Sequence, residues 1–167
     1  MNKTLETIEN RQSIRSFTEQ EVSTEDLQSI IRAARNAPTA RNRQPLCFYA
    51  IKDKKILLAI NDFLGGNQFY QAPAIVLCLA IKEDDYLELD LGAAMENMLL
   101  ACESLSLSAC WIHCAREKLS TPEGITLLKE LLHIDFDFIP CDTLVTGYTN
   151  EAKPARKEKD YSLDKIL

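Results

Sequence analysis

The feature that most constrains the fold is a continuous apolar run at residues 74–81, AIVLCLAI. A strand with one solvated face alternates apolar and polar residues, so an unbroken apolar run is typical of a strand buried on both faces. Residues 46–51, 109–113 and 143–148 also have strand-like patterns. Helical patterns separate these segments without long irregular stretches, which predicts a layered α/β or α+β structure and a single domain over residues 1–167.

The helices are expected at residues 4–10, 24–36, 54–62 and 122–132, with the longest one running through residues 91–105. Small residues at positions 92–94 of the longest helix permit close approach of another helix. This pattern is consistent with the core of a dimer and equally with a helix buried inside one subunit. The acidic stretch at residues 82–90 is expected to face solvent near the start of this helix.

A row of polar side chains precedes the second helix, where Arg11, Ser13 and Arg15 occupy every second position. In extended backbone, alternate side chains point to the same side. Two guanidinium groups with a hydroxyl between them suit a long anionic ligand, because guanidinium binds phosphate bidentately. A solvated strand edge is the alternative explanation of this row.

A stiffened polar loop at residues 36–45, NAPTARNRQP, follows the second helix. Pro38 ends the helix, and the Thr, Asn and Gln side chains of the loop offer hydrogen-bond donors and acceptors at short reach. Such loops often position ligands. An ordinary helix exit explains the same residues equally well.

Together these stretches resemble the nitroreductase family of FMN-dependent oxidoreductases. Members of this family begin with R-x-S-x-R-x-F, followed by a helix and A-P-[ST]-x-x-N-x-Q-P. Both patterns are present here, from Arg11 to Phe17 and from Ala37 to Pro45. Two further matches lie downstream: C-W-I at residues 110–112, and G-Y followed by P-x-R-K, which ends at Lys157.

The resemblance implies a mixed sheet flanked by helices in an intertwined homodimer, with one non-covalently bound FMN at each of two subunit interfaces. It implies that Arg11, Arg156 and Lys157 hold the FMN phosphate, that Arg15 lies at the pyrimidine edge of the ring, and that residues 38–42 come from the partner subunit. The full set of residues implied to bind the cofactor is Arg11, Gln12, Ser13, Arg15, Pro38, Thr39, Ala40, Asn42, Gln68, Cys110, Trp111, Ile112, His113, Arg156 and Lys157.

The implied reaction is a ping-pong transfer of reducing equivalents from NAD(P)H to a flat acceptor such as a nitroaromatic or a quinone. The cofactor carries this chemistry, so no protein nucleophile is required. Many relatives have glycines where this chain has Ser106, Ser108 and His113. His113 could cap the substrate pocket or donate a proton, and the alternative is a structural histidine.

Two other classes of function remain open on the sequence. A non-catalytic flavin-binding or redox-sensing protein of the same fold would keep the phosphate-binding arginines and lose the open face of the ring. A small-anion or nucleotide-binding module would use the arginines without flavin. The sequence specifies neither the physiological acceptor nor the choice between NADH and NADPH.

Charge and composition exclude several partners. A net charge of −6 and a pI near 5.0 disfavour a nucleic-acid surface. The first ten residues lack the apolar run of a signal peptide, and no stretch approaches the roughly 20 apolar residues of a membrane span, which predicts a cytoplasmic protein without membrane contact. The six cysteines contain no C-x-x-C pair, so we expect neither a disulfide framework nor a metal site.

Overall fold

The structure is a computed structural model, and it describes residues 2–83 and 85–166. The helices are α1 (Lys3–Asn10), α2 (Thr24–Arg35), α3 (Lys54–Phe63), α4 (Leu87–Ser104), α5 (Ala115–Leu119) and α6 (Pro122–Leu132). The strands are β1 (Leu46–Ile51), β2 (Ala74–Ala80), β3 (Ser108–Ile112) and β4 (Ile139–Gly147). A short 3₁₀ turn at Ala40–Asn42 lies between α2 and β1.

The four strands form one sheet in the order β1-β2-β4-β3, and each neighbouring pair is antiparallel. A parallel contribution comes from the isolated bridge between Ser13 and Ala109. Every residue of β2 is buried, as the apolar run predicts. Its alternate side chains enter two cores, one with α2 and α4 and the other with α3, α5 and α6. The α+β class is therefore confirmed, with helices on both faces of the sheet.

Strand β4 begins at Ile139, four residues before the predicted start. Pro140 cannot donate to a strand ladder, so a proline normally argues against a central strand. Here Pro140 lies opposite Leu79, beside a register shift between Leu77 and Leu79. Such an irregularity is one of the places where a sheet accepts proline, and the strand continues through it.

Helix α4 ends in a turn that has serine at position 106, where many relatives have glycine. Ser106 adopts a left-handed backbone with φ 59°. The amide of Leu107 donates to the carbonyl of Cys102 at 2.8 Å, and the amide of Ser106 donates to Glu103 at 3.1 Å. This is the pair of bonds that ends a helix in a Schellman motif, where glycine is usual because it tolerates the left-handed region. The turn is therefore retained with serine in the strained position.

The prediction that the acidic residues at the start of α4 face solvent is wrong for Asp90 and is confirmed for Glu88, whose side chain is 64% exposed. Asp90 is buried, and its carboxylate accepts from the backbone amide of Ala40 at 2.9 Å. Glu88 pairs with Arg116 of α5 at 2.6 Å. These contacts join α4 to the 3₁₀ turn and to α5. Asp84 lies outside the described residues.

Residues 150–166 form an exposed tail without helix or strand, and they include Tyr161, Leu163 and Ile166 as exposed apolar side chains. Helix α1 buries none of its residues, and Leu5 and Ile8 are 54% and 45% exposed. No helix within the described ranges is both long enough and apolar enough to cross a bilayer.

Candidate functional site

The arginine row lies against the free edge of β3. The amide of Ile14 donates to the carbonyl of Ala109 at 3.0 Å, and Ser13 forms the parallel bridge to the same residue. Ile14 is buried, which fixes the row in place, and the amide of Thr18 donates to Tyr148 at 2.8 Å. The row is therefore extended, as its alternation predicts, but only one of its residues makes a bridge.

A cluster of cations forms where the two ends of the chain meet. The guanidinium of Arg156 donates to the carbonyl of Arg11, and the ammonium of Lys153 donates to the carbonyl of Asn10 at 3.0 Å. Carboxylates accompany these cations: Glu96 lies 3.5 Å from Nε of Arg11, and Glu103 pairs with Lys153. The structure thus brings together Arg11 and Arg156, 145 positions apart in the sequence.

Lys153 was missed by the sequence reasoning, although it lies in the same basic tail as Arg156 and Lys157. Its contact with Asn10 could not be inferred from charge alone, since a carbonyl acceptor leaves no pattern in the sequence. Lys157 is exposed in the structure, and Gln12 is half-buried beside Arg11.

The other end of the row lies near Cys110 of β3. Burial raises the pKa of the Cys110 thiol, while the nearby Arg15 guanidinium and a hydrogen bond with Ser13 act in the opposite direction. Arg15 itself is exposed and Ser13 is half-buried. Ser13 and Arg15 therefore lie at β3, whereas Arg11 reaches Glu96 on α4. The site is elongated along the row.

Gln68 joins this region through Cys114, whose thiol donates to Oε1 of Gln68 at 3.2 Å. Gln68 is held by Asn61, whose side chain accepts from its amide at 2.9 Å. His113 lies at the end of β3 and is mostly exposed. Beside it is an open cavity of about 420 Å³ lined by His113, Cys114, Arg116, Glu117 and Ser120.

The side chains of the C-W-I segment point in different directions. Cys110 and Ile112 are buried in the core on the α3 side of the sheet. Trp111 is 37% exposed, and its indole N–H donates to the carboxylate of Asp142. The sequence reasoning did not single out Asp142; its signal is an acid inside the apolar run of β4.

The polar loop at residues 38–42 is built by its own hydrogen bonds. The hydroxyl of Thr39 accepts from the amide of Gln44 at 3.0 Å, and the amide group of Gln44 donates to Asn42 at 3.1 Å. Asn42 and Gln44 have positive φ values of 55° and 50°. Between described residues, no hydrogen bond joins Pro38, Thr39, Ala40 or Asn42 to the arginine row of the same subunit.

The six cysteines are free thiols, and Cys114 is the exposed one among them. Burial raises the pKa of Cys102 and of Cys141 to about 12, which keeps both thiols protonated near neutral pH. No group of three metal-ligating side chains occurs among residues 2–83 and 85–166.

Comparison with known proteins gives a consistent result. The model of the Nitroreductase family matches residues 8–71 and 60–148. A protein of Archaeoglobus fulgidus, named as a candidate NADH dehydrogenase/NAD(P)H nitroreductase, is 31% identical over 99% of this chain and 97% of its own length. The FMN reductase (NADPH) of Bacillus subtilis is 30% identical over 89% of this chain, which spans 66% of that relative.

The fold is shared with a nitroreductase of Bacteroides fragilis whose crystal structure contains bound FMN. The two structures superpose with a TM-score of 0.90 over the full length of both chains, at 24% identity. At this level of identity the likeness establishes the architecture alone.

Proposed function

This chain belongs to the nitroreductase family, and from that premise we propose that it is an FMN-dependent oxidoreductase that transfers electrons from NAD(P)H to small acceptors. The observation that carries this proposal is the elongated site, with a cationic end at Arg11 and Arg156 and a second guanidinium, Arg15, at Cys110 of β3. FMN has the matching shape, since a phosphate and a planar ring are joined by a ribityl chain. The name of the Bacillus subtilis relative supports the same cofactor.

The phosphate end fits a singly esterified phosphate. Arg11 and Arg156 supply guanidinium groups, Lys153 supplies an ammonium group nearby, and Lys157 follows in the exposed tail. In the structure Arg11 is paired with Glu96 at 3.5 Å, a long and partly exposed contact of little strength. A phosphate would displace this carboxylate, because charge-assisted bonds to phosphate are shorter and stronger.

At the ring end, Arg15 would place a positive charge near the pyrimidine edge, with Gln68 as a further polar contact. The backbone of residues 110–113 would lie along one side of the ring. When bound, FMN supplies the two-electron chemistry that takes reducing equivalents from NAD(P)H and passes them to an acceptor. The protein's task is to bind, orient and shield, so this chemistry requires no protein nucleophile.

We propose nitroaromatics, quinones and similar flat molecules as acceptors. NAD(P)H and the acceptor would bind one after the other at the same site beside the flavin ring. The resulting kinetics would be ping-pong. The family assignment supports this choice of acceptors, and a cytoplasmic location stays a prediction.

The direct test is to purify the protein without added flavin and identify any bound cofactor. We expect a yellow protein that releases FMN and not FAD, because the phosphate would be surrounded by cations that leave no room for an adenylate. We also expect NAD(P)H oxidation that depends on an added quinone. A colourless protein that fails to bind added FMN would contradict the proposal. A yellow protein without NAD(P)H oxidation would favour the flavin-binding or redox-sensing alternative.

We further propose a homodimer in which Pro38, Thr39, Ala40 and Asn42 complete the site of the partner subunit. Three features support it: among the described residues the loop makes no hydrogen bond to its own arginine row, α1 leaves Leu5 and Ile8 uncovered, and the tail leaves the apolar side chains of Tyr161, Leu163 and Ile166 exposed. Exposed apolar side chains on a helix that packs on α4 are suited to burial against a second copy.

Light scattering should give a mass of about 38 kDa, twice the 18.9 kDa of one chain. Substituting Leu5 and Ile8 together by Glu should weaken the dimer and FMN binding in parallel, because charge would be buried at the interface. Leu58→Glu is the matched control, since Leu58 is 60% exposed on α3. A monomer that binds one FMN per chain would contradict the dimer proposal.

A further inference from the structure

A buried carboxylate at the end of β3 is not used by the function proposed above. The side chain of Asp142 is 2% exposed, and both of its oxygens are engaged. Oδ2 accepts from the indole N–H of Trp111, and Oδ1 lies 2.9 Å from Nδ1 of His113. The imidazole of His113 is 74% exposed. Asp142 thus links a buried position on β4 to an exposed ring beside the open cavity.

The sheet register explains why these three residues meet. Ile112 pairs with Thr143 and Trp111 pairs with Leu144, so Asp142 lies opposite the residue that follows β3. That residue is His113. Burying a carboxylate is costly unless its oxygens are well bonded. Both oxygens of Asp142 are bonded here, so the buried carboxylate holds the exposed ring of His113 in a defined orientation.

The pair fixes the orientation and the tautomer of His113. An ionised carboxylate only accepts hydrogen bonds, so Nδ1 of His113 must carry the proton between them. Nδ1 therefore faces Asp142, and Nε2 lies on the far side of a ring that is 74% exposed and lines the cavity. A histidine held in this way can release a proton from Nε2 and remain bonded to the carboxylate through Nδ1.

The other titratable groups near Asp142 do not compete with it for His113. Arg116 of α5 pairs with Glu88 of α4 at 2.6 Å. Burial lowers the pKa of Arg116, but the hydrogen bond and charge of Glu88, together with the charge of Asp142, outweigh this effect and raise it overall. Cys141 stays neutral, because burial raises its pKa to about 12. Cys114 and Glu117 line the same cavity as His113, together with Ser120.

We propose that Asp142 is a positioning residue that holds His113 as the proton donor to the electron acceptor. The inference rests on the proposed function, because the proton is needed only if an acceptor is reduced here. The cavity beside His113 would receive the acceptor, and it adjoins the ring end of the site through the contact between Cys114 and Gln68.

The proton balance is simple for a quinone. Reduction to the hydroquinone takes two electrons and one proton from NAD(P)H by way of the cofactor, and one further proton. In the proposed step the Nε2–H bond of protonated His113 breaks and an O–H bond forms on the acceptor. His113 is left neutral with Nδ1–H still bonded to Asp142, and solvent then returns a proton to Nε2.

The tautomer can be read by nitrogen NMR, because the chain has one tryptophan and two histidines. In the ¹⁵N-labelled, FMN-loaded protein in alkaline buffer, His113 should show the Nδ1–H tautomer and Trp111 a strongly hydrogen-bonded indole signal. In Asp142→Asn the carboxamide has one accepting and one donating side, so it can accept from the indole N–H of Trp111 or from Nδ1–H of His113, but not from both. At least one of the two signals should therefore change. His133, exposed at the end of α6, is the internal control.

A kinetic test compares the turnover rate with a quinone to the turnover rate with ferricyanide, which accepts an electron without a proton. Asp142→Asn and His113→Gln should each lower the ratio of quinone turnover to ferricyanide turnover by at least about tenfold, since proton donors commonly contribute more than this. Asp137→Asn is the matched control, because Asp137 is a fully exposed partner of Lys129. An unchanged ratio in both variants, or unchanged NMR signals in Asp142→Asn, would overturn the inference. Failure of the wild-type protein to oxidise NAD(P)H would instead overturn the proposed function.

Discussion

Arg11→Ala is expected to weaken FMN binding by about 1.5 to 3 kcal/mol, which corresponds to roughly a tenfold to hundredfold loss of affinity. Arg11 lies at the junction of the two chain ends, where Arg156 contacts its carbonyl. Its side chain is 27% exposed, and its one ion pair with another described residue is the long contact to Glu96, so it is available to a phosphate. Removing it would leave one face of the phosphate without its charged partner. Quenching of flavin fluorescence in a titration measures the loss.

Two variants make this experiment specific. Arg32→Ala removes an exposed arginine from α2 and should leave the affinity for FMN unchanged. Glu96→Gln removes the carboxylate that competes for Arg11, so it should shift affinity in the opposite direction to Arg11→Ala. If Arg11→Ala binds FMN as tightly as the wild-type protein does, the phosphate is held elsewhere.

Arg15→Gln is expected to lower the reduction potential of bound FMN more than it lowers the affinity for FMN. A fixed charge about 4 Å from developing negative charge contributes roughly 1 to 4 kcal/mol, depending on the local dielectric constant. For a two-electron couple this corresponds to a shift of about 20 to 90 mV. Arg15 is exposed near Cys110 at the ring end of the site, so solvent screening favours the lower part of this range.

Reductive titration against a dye of known potential measures this shift. Arg15→Lys keeps the charge and should retain most of the wild-type potential, which separates a charge effect from a change in packing. A midpoint that stays at the wild-type value in Arg15→Gln, with FMN still bound, would remove Arg15 from the redox chemistry.

The elements whose side chains repeat with a clear period were predictable from the sequence. Ser23 caps α2 by accepting from the amide of Asp26 at 3.0 Å, and Leu27, Ile30 and Ala34 form its buried stripe. The burial of β2 on both faces was predictable as well, because an unbroken apolar run needs a core on each side, and every side chain of the strand enters one. Local pattern and tertiary packing agree in these elements.

Features that depend on distant residues were not predictable in this way. Ser13 and Ala109 are 96 positions apart, and nothing local to either residue specifies their pairing. Asp90 is an acid that the charge pattern places in solvent, yet it is buried and accepts from the distant amide of Ala40. Asp142, which no sequence pattern singled out, is also buried and is bonded to Trp111 and His113. The family resemblance predicted which residues belong to the site, and that set stays a prediction. The contacts of these residues with Glu96, Lys153 and Asp142 are seen only in the structure.

Anaerobic stopped-flow mixing of the FMN-loaded dimer with NADH or NADPH tests the central claim most directly. We expect the visible flavin absorbance to bleach fully before any acceptor is added, and to return when a quinone is mixed in a second step. The ratio of the bleaching rates would also identify the preferred nucleotide. Flavin that stays oxidised with both nucleotides would contradict the proposal that this chain is an NAD(P)H oxidoreductase.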